Sequence, residues 1–354
     1  LPPSGRPVEP SAGAPVNTPA TAPDRADAED AFERLMALCA QDLEGVNALI
    51  AERMAAEHAP RIPQVTRHLV EAGGKRLRPL LTLAAARLCG YEGSEHVKLA
   101  ASVEFIHTAT LLHDDVVDES ERRRGRPTAN LLWDNKSSVL TGDYLFARAF
   151  QMMVETQDLR VLNILSDAAA TIAEGEVMQL ATAGDLSTGE AAYLRMIHGK
   201  TAALFAAATE VGAVVAARPE SEIAAMREYG RTLGMAFQIV DDLLDYGGAS
   251  AALGKNTGDD FREGKVTLPV LLAWEAGDAE ARAFWSRAIE KRRQEDGDLA
   301  EALSRMQATG ALEETDRRAR AYVAQARAAL AAFPDRPERA ALDGIAEFVV
   351  ARLS

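Results

Sequence analysis

Apolar residues recur along the chain at intervals of three and four, as in Val103, Ile106, Ala109 and Thr110 and again in Val154, Leu159, Leu162, Leu165 and Ile172. That interval is the period of one buried face on an α-helix, and no stretch alternates with period two convincingly enough to compete as a strand. The pattern predicts thirteen helices, over about 28–58, 61–71, 75–89, 94–119, 128–155, 158–181, 188–216, 219–246, 265–276, 279–293, 298–308, 311–332 and 336–352. Pro60, Pro63, Pro127 and Pro219 fall where these helices start or stop. Polar or glycine-bearing stretches interrupt them at Gly73-Gly74, Glu119 to Pro127, Gly184 to Gly189 and Gly247 to Gly264. The most apolar stretch, Thr201 to Ala217, is shorter than a bilayer span and carries Glu210, so it reads as a buried helix. The expected fold class is all-α, a single large bundle.

Composition agrees: 47% of the 354 residues are hydrophobic but only 5% aromatic, as in packed alanine-rich helices. Residues 1–27 contain seven prolines and scarcely any large apolar side chain, too little to repay ordering. They read as a disordered tail, with one domain over 28–354. Against 39 basic residues stand 53 acidic ones, a net charge of −14, which opposes binding to nucleic acid. Cys39 and Cys89 are too few and too far apart for a disulfide framework or a zinc cluster. With no leader and no transmembrane segment in view, the expected location is cytoplasmic.

Two apolar helices end in the same acidic pattern, D-D-x-x-D: Asp114-Asp115-Val116-Val117-Asp118 and Asp241-Asp242-Leu243-Leu244-Asp245. Residues four apart share a helix face, so Asp114 points with Asp118 and Asp241 with Asp245, making two carboxylate claws. Carboxylates this close, following buried runs, repel unless a cation sits between them. Hard oxygen ligands favour Mg²⁺, which takes one or two carboxylates and completes its shell with water and phosphate oxygens; zinc would call for His or Cys. A solvated acidic helix end explains one such pattern more readily than two.

Cations gather near both claws although the chain is acidic. Gly73-Gly74-Lys75-Arg76-Leu77-Arg78-Pro79 opens a helix, where backbone amides suit a phosphate. Glu121-Arg122-Arg123-Arg124-Gly125-Arg126 follows the first claw, although such arginines also serve as plain counter-ions. Gly199-Lys200-Thr201 places a cation and a hydroxyl in an otherwise apolar helix. Beyond the second claw, Lys255 and Lys265 lie in a glycine-bearing loop of the kind that closes over phosphates.

With these residues in place, the chain closely resembles the trans-polyprenyl diphosphate synthases, of the long-chain type, from about Leu35 to its carboxyl end. The matching elements are GGKRLRP, FIHTATLLHDDVVDESERRRGRPT, Gly142-Asp143, GKT, FQIVDDLLD and GKNTGDDFREGKVTLP. The resemblance implies a helical bundle around a central cavity in which three Mg²⁺ on the allylic diphosphate are held by Asp114, Asp118 and Asp241, with Asp115, Asp242 and Asp245 supporting. By the same likeness Arg123, Lys200, Thr201, Gln238, Lys255 and Lys265 complete the allylic diphosphate pocket, and Lys75, Arg78, His107 and Arg124 bind isopentenyl diphosphate. Spacing alone leaves His107 as a helix histidine one face above Asp114; His113 reads as structural.

The implied chemistry is ionisation, condensation and elimination, with no protein nucleophile. A growing hydrocarbon needs an apolar channel, worth roughly 0.8 kcal/mol per buried methylene. Behind Asp114 the helix offers Thr110, Ala109 and Ile106, then Val103 and Ser102, with nothing bulky. Short-chain members of the family carry aromatics near 109 and 110, so the likeness is to synthases of eight- to ten-unit products, which serve as ubiquinone side chains. It also implies a homodimer, with Leu99 to Leu112 and Leu131 to Val154 near the contact, and transient membrane contact for product release. A terpene cyclase or squalene-synthase-like enzyme would usually carry a different second motif, and a non-catalytic partner subunit could lose metal ligands that this chain keeps.

Overall fold

A computed structural model describes residues 25–56, 58–71, 73–123, 125–247 and 258–353. The helices are α1 (Arg25–Leu38), α2 (Ala40–Arg53), α3 (Arg61–Glu71), α4 (Leu77–Leu88), α5 (Glu95–Val117), α6 (Ala129–Leu132), α7 (Asn135–Glu155), α8 (Leu159–Thr182), α9 (Gly189–Ile197) and α10 (Ala203–Val215). They continue as α11 (Glu220–Tyr246), α12 (Asp259–Arg262), α13 (Leu268–Ala276), α14 (Ala279–Trp285), α15 (Asp298–Ala308), α16 (Ala311–Ala329) and α17 (Pro337–Ala351). The all-α expectation holds. Its one exception among the described residues is a two-stranded pairing, β1 (Arg122–Arg123) with β2 (Arg126–Pro127), which turns through Gly125 at φ +77°.

Local chemistry explains where the helices differ from the apolar pattern. The expected 28–58 helix breaks at Cys39, whose side chain continues the buried row Leu35, Cys39, Leu43, Val46, Ile50, so the periodicity runs through the break unmarked. The 128–155 helix divides because Asp134 leaves the helical conformation and its carboxylate accepts the Ser137 N–H at 2.6 Å, capping α7. Between α9 and α10 the chain does not stop but widens into a π-turn over His198–Ala202. The first helix starts at Arg25, three residues earlier than expected, and Phe32 stacks on Phe348 of α17 with centroids 5.9 Å apart.

The main core gathers α2, α4, α5, α7, α8, α10, α11 and the last helices. Ala203 to Val214 are all buried, so α10 lies inside on every side, as the apolar run predicts; its Glu210 takes an ion pair from Arg227 at 3.2 Å. A second, smaller core joins Phe261, Val270, Phe284, Trp285, Ile289 and Met306 to Tyr246, the last residue of α11. Because Leu244 belongs to the first core and Tyr246 to the second, the acidic end of α11 lies where the two cores meet. No helix among the described residues is long and apolar enough to cross a membrane.

Candidate active site

The first cluster sits at the open end of α5. Asp115 is fully buried and its Oδ1 accepts from Arg123 Nε at 2.8 Å, while Oδ2 is buried with no hydrogen-bond partner among the described residues. Burial pushes the Asp115 carboxyl up, against the pull of Arg123. Asp114 is half-buried, and desolvation lifts its pKa to about 7, with Lys200 opposing and Glu176 and Asp118 adding to the rise. Asp118 caps the helix and is exposed. His113 donates to the Val139 carbonyl at 3.1 Å and packs so closely on Gly142 that a Cβ there would lie 2.3 Å from its Nε2, which accounts for a glycine in the Gly-Asp pair and for a structural histidine.

The second cluster is more enclosed. Asp242 Oδ2 accepts from the buried Tyr193 hydroxyl at 2.6 Å and Oδ1 from Gln238 Nε2 at 2.8 Å; Gln238 Oε1 in turn accepts from Thr201 at 2.7 Å. Burial raises the Asp242 carboxyl, with Asp260 adding. Asp245 uses both oxygens on backbone, accepting from the N–H of Asp259 at 3.2 Å and of Asp260 at 2.9 Å, which caps the short α12; burial lifts it to about 6. Asp241 Oδ1 accepts from Arg352 Nη2 at 2.7 Å, and that guanidinium lies 5.0 Å above the Phe237 ring. Among the described residues no three His, Cys, Asp or Glu side chains converge on one point. The donor set is carboxylate oxygen throughout, which suits a hard cation completed by phosphate oxygens and not zinc.

Two lysines link the clusters. Lys200 is presented by the π-turn and donates to Glu176 Oε2 at 3.0 Å while its charge acts on Asp114. Lys265 pairs with Asp260 at 3.3 Å and Glu263 at 2.5 Å; burial pulls its pKa down, but Asp260, Glu263 and, across the site, Asp118 outweigh that and raise it. Away from the claws, Arg78 Nη1 meets His107 Nε2 at 3.2 Å, and the Arg78 guanidinium stacks 4.6 Å over Phe205. Lys75 lies 4.0 Å over the Phe348 ring and 5.5 Å over Phe32. A small cavity is lined by Gly73, Gly74, Arg76, Glu104, His107 and Arg123, so Arg123 reaches the His107 side of the site. Lys255 and Arg124 lie outside the described residues.

The family model described as polyprenyl synthetase matches residues 59–306, which span both claws and every lysine and arginine discussed except Arg352. The chain belongs to the polyprenyl synthetase family. It is 48% identical over 323 residues to octaprenyl diphosphate synthase of Escherichia coli, covering 91% of this chain and 99% of that one. It is 42% identical to an all-trans-nonaprenyl-diphosphate synthase (geranyl-diphosphate specific) of Rhodobacter capsulatus, covering 92% and 99%. Among solved structures, a decaprenyl diphosphate synthase from Rhodobacter capsulatus matches with a TM-score of 0.89 at 63% identity, covering 91% and 99%. A polyprenyl synthase from Caulobacter crescentus, complexed with calcium and isoprenyl diphosphate, matches with a TM-score of 0.87 at 52% identity, covering 91% and 98%.

As a polyprenyl synthetase, the chain is a prenyltransferase enzyme, and the residues behind Asp114 acquire a meaning. Ile106 and Ala109 are fully buried, and the Thr110 hydroxyl is folded back onto the His107 carbonyl at 2.7 Å, so no bulky group stands there. Three residues of this polyprenyl synthetase site escape sequence reading, Glu176, Tyr193 and Arg352, while Asp260 lies in the matching element GKNTGDDFREGKVTLP without a role assigned to it. Gly175 was the one available signal, since a glycine inside a helix marks close approach; a Cβ there would lie 2.6 Å from the Lys200 backbone nitrogen. Tyr193 and Arg352 carry no local signal, because their partners are 49 and 111 residues away.

Proposed function

We propose that the chain condenses isopentenyl diphosphate with an allylic diphosphate, Mg²⁺-dependently, into all-trans polyprenyl diphosphates of octaprenyl to decaprenyl length, the range named for its relatives. The observation that carries this is the pair of carboxylate clusters with Lys200, held by Glu176, and Lys265, held by Asp260, beside them. Asp114, Asp118 and Asp241 are the residues to hold the metal, three ions per site by family likeness. When bound by these carboxylates, Mg²⁺ would supply the positive charge that stabilises a departing diphosphate. Lys200 and Lys265, with Arg123, Thr201, Gln238 and Lys255, hold that diphosphate; Lys75, Arg78, His107 and Arg124 hold the isopentenyl diphosphate. The allylic C–O bond breaks, the isopentenyl double bond forms the new C–C bond, and a proton leaves to restore an allylic diphosphate one unit longer. The released diphosphate is the proton acceptor.

Ala109 and Thr110, with Ile106 behind them and no aromatic among the three, support the long product, and supply of the ubiquinone side chain follows from the family likeness. A homodimer is supported by apolar residues exposed along α6 and α7, namely Leu131, Leu132, Leu140, Phe150 and Val154. The other stretch expected near that contact, Leu99 to Leu112, packs Leu99, Val103, Ile106 and Leu112 into the chain's own core, so α6 and α7 supply the exposed apolar side chains. Light scattering showing a monomer at micromolar concentration would refute the dimer. A cytoplasmic enzyme releasing its product through transient membrane contact completes the reading.

Incubation with Mg²⁺, farnesyl diphosphate and radiolabelled isopentenyl diphosphate, followed by sizing of the dephosphorylated products, tests it. Products of eight to ten units are expected. Termination at three or four units overturns the length, and no incorporation overturns the enzyme reading in favour of a partner subunit.

A further inference from the structure

Glu176 has no place in either D-D-x-x-D motif or in the lysine motifs, yet it sits among them. Its carboxylate is about four-fifths covered and takes the Lys200 ammonium at 3.0 Å. The placement is built into the backbone: α8 and the π-turn touch at Gly175 and Gly199, where a Cβ on Gly199 would lie 3.0 Å from the Gly175 Cα and the Thr171 oxygen. Each glycine is followed by one member of the ion pair. Two carboxylates therefore compete for one ammonium, since Asp114 also lies within its field. Glu176 holds the hydrogen bond, and Asp114 is left with only the longer-range attraction.

Resting on the prenyltransferase reading above, we propose that Glu176 is a positioning residue which keeps Lys200 off Asp114, so that the Asp114 carboxylate stays available to the metal and the lysine stays aimed at the diphosphate. A lysine is a point charge on a flexible four-carbon stem and pairs with whichever carboxylate is nearest. Without Glu176, Asp114 is the carboxylate on which the Lys200 charge already acts. The lysine then takes the oxygen that the metal requires, and metal binding weakens although no ligand has been removed. Outer partners of this kind typically govern metal affinity by about 10- to 100-fold.

The test is a Mg²⁺ titration in the presence of inorganic pyrophosphate, read by the melting temperature of the full chain and needing no turnover. Glu176→Ala is expected to raise the Mg²⁺ midpoint by about tenfold with the ligand-free melting temperature little changed; Glu176→Gln, which keeps an acceptor for Nζ, raises it less. In a Lys200→Met background, Glu176→Ala should add nothing, because the residue acts only through the lysine. A wild-type midpoint in Glu176→Ala overturns the proposal, as does an undiminished tenfold effect in the Lys200→Met background. Should Glu176→Ala not fold, Glu176→Gln at the wild-type midpoint overturns it equally. If the unaltered protein shows no response to Mg²⁺ and pyrophosphate, the prenyltransferase reading itself fails, which is a separate outcome.

Discussion

The two D-D-x-x-D clusters are identical as patterns and different as objects. In the first, Asp118 is exposed, Asp114 is half-buried, and among the described residues only Asp115 takes a side-chain hydrogen bond, from Arg123. In the second, Asp242 and Asp245 are both buried and spend all four oxygens inside the protein, on Tyr193, Gln238 and two backbone amides. The cause is location. The end of α5 opens onto the short β1–β2 turn, whereas the end of α11 runs between two hydrophobic cores. The same spacing thus makes an open claw in one place and, in the other, a single forward carboxylate, Asp241, braced by two structural ones.

The sharpest way to break that contrast is to remove one carboxylate of the open claw. Asp114→Ala is expected to lower kcat by about 10²–10³-fold, the scale of losing a principal electrostatic contributor, and full turnover would exclude it from the metal site. Next comes the pair Asp245→Ala and Asp118→Ala. Asp245→Ala leaves two backbone N–H groups at the start of α12 without partners and should cost about 2–3 kcal/mol of stability. Asp118→Ala, at an exposed helix end, should cost under about 0.5 kcal/mol while impairing activity more; equal melting temperatures for the two variants would erase the distinction.

The smallest effect is in the pH response. Asp114, lifted to about 7, and Asp245, lifted to about 6, have folded pKa values above the unfolded one of about 3.9. They bind more protons folded than unfolded, so their stabilisation is complete below pH 4 and is lost as the pH rises through 6 and 7. Melting temperature should fall across that window, less so in Asp114→Asn. Mg²⁺ requires the ionised form, so its midpoint should weaken by up to about tenfold per unit below pH 7 for each proton displaced. A midpoint flat from pH 5 to 8 would separate Asp114 from the metal.

Sequence periodicity located the helices well because each buries a stripe of its own, and a stripe is local. The divisions at Cys39 and Asp134 were not legible, since an apolar row continues through the first and a single capping carboxylate decides the second. Asp114, Asp118 and Lys200 announced themselves as charges on or ending apolar helices, and Lys265 as a cation in a glycine-bearing loop beyond the second claw. Tyr193, Glu176 and Arg352 are an ordinary tyrosine, glutamate and arginine until the fold brings Asp242, Lys200 and Asp241 to them. Nor does sequence show that Lys75 lies over two aromatic rings, Phe32 of α1 and Phe348 of α17, because both are far from it along the chain.

The π-turn at His198–Ala202 sets a constraint on how this chain can change over generations. A π-turn accommodates one residue more than an α-helix needs over the same rise, so α9 and α10 keep a common course while the extra residue bulges. Loss of a single codon there would leave an unbroken α-helix, which is locally the more comfortable conformation. The helices on either side would keep their phase, but the bulge that presents Lys200 and Thr201 to Glu176 and Gln238 would be gone. The length of this segment should therefore be as constrained as the identity of Gly199 and Lys200 within it.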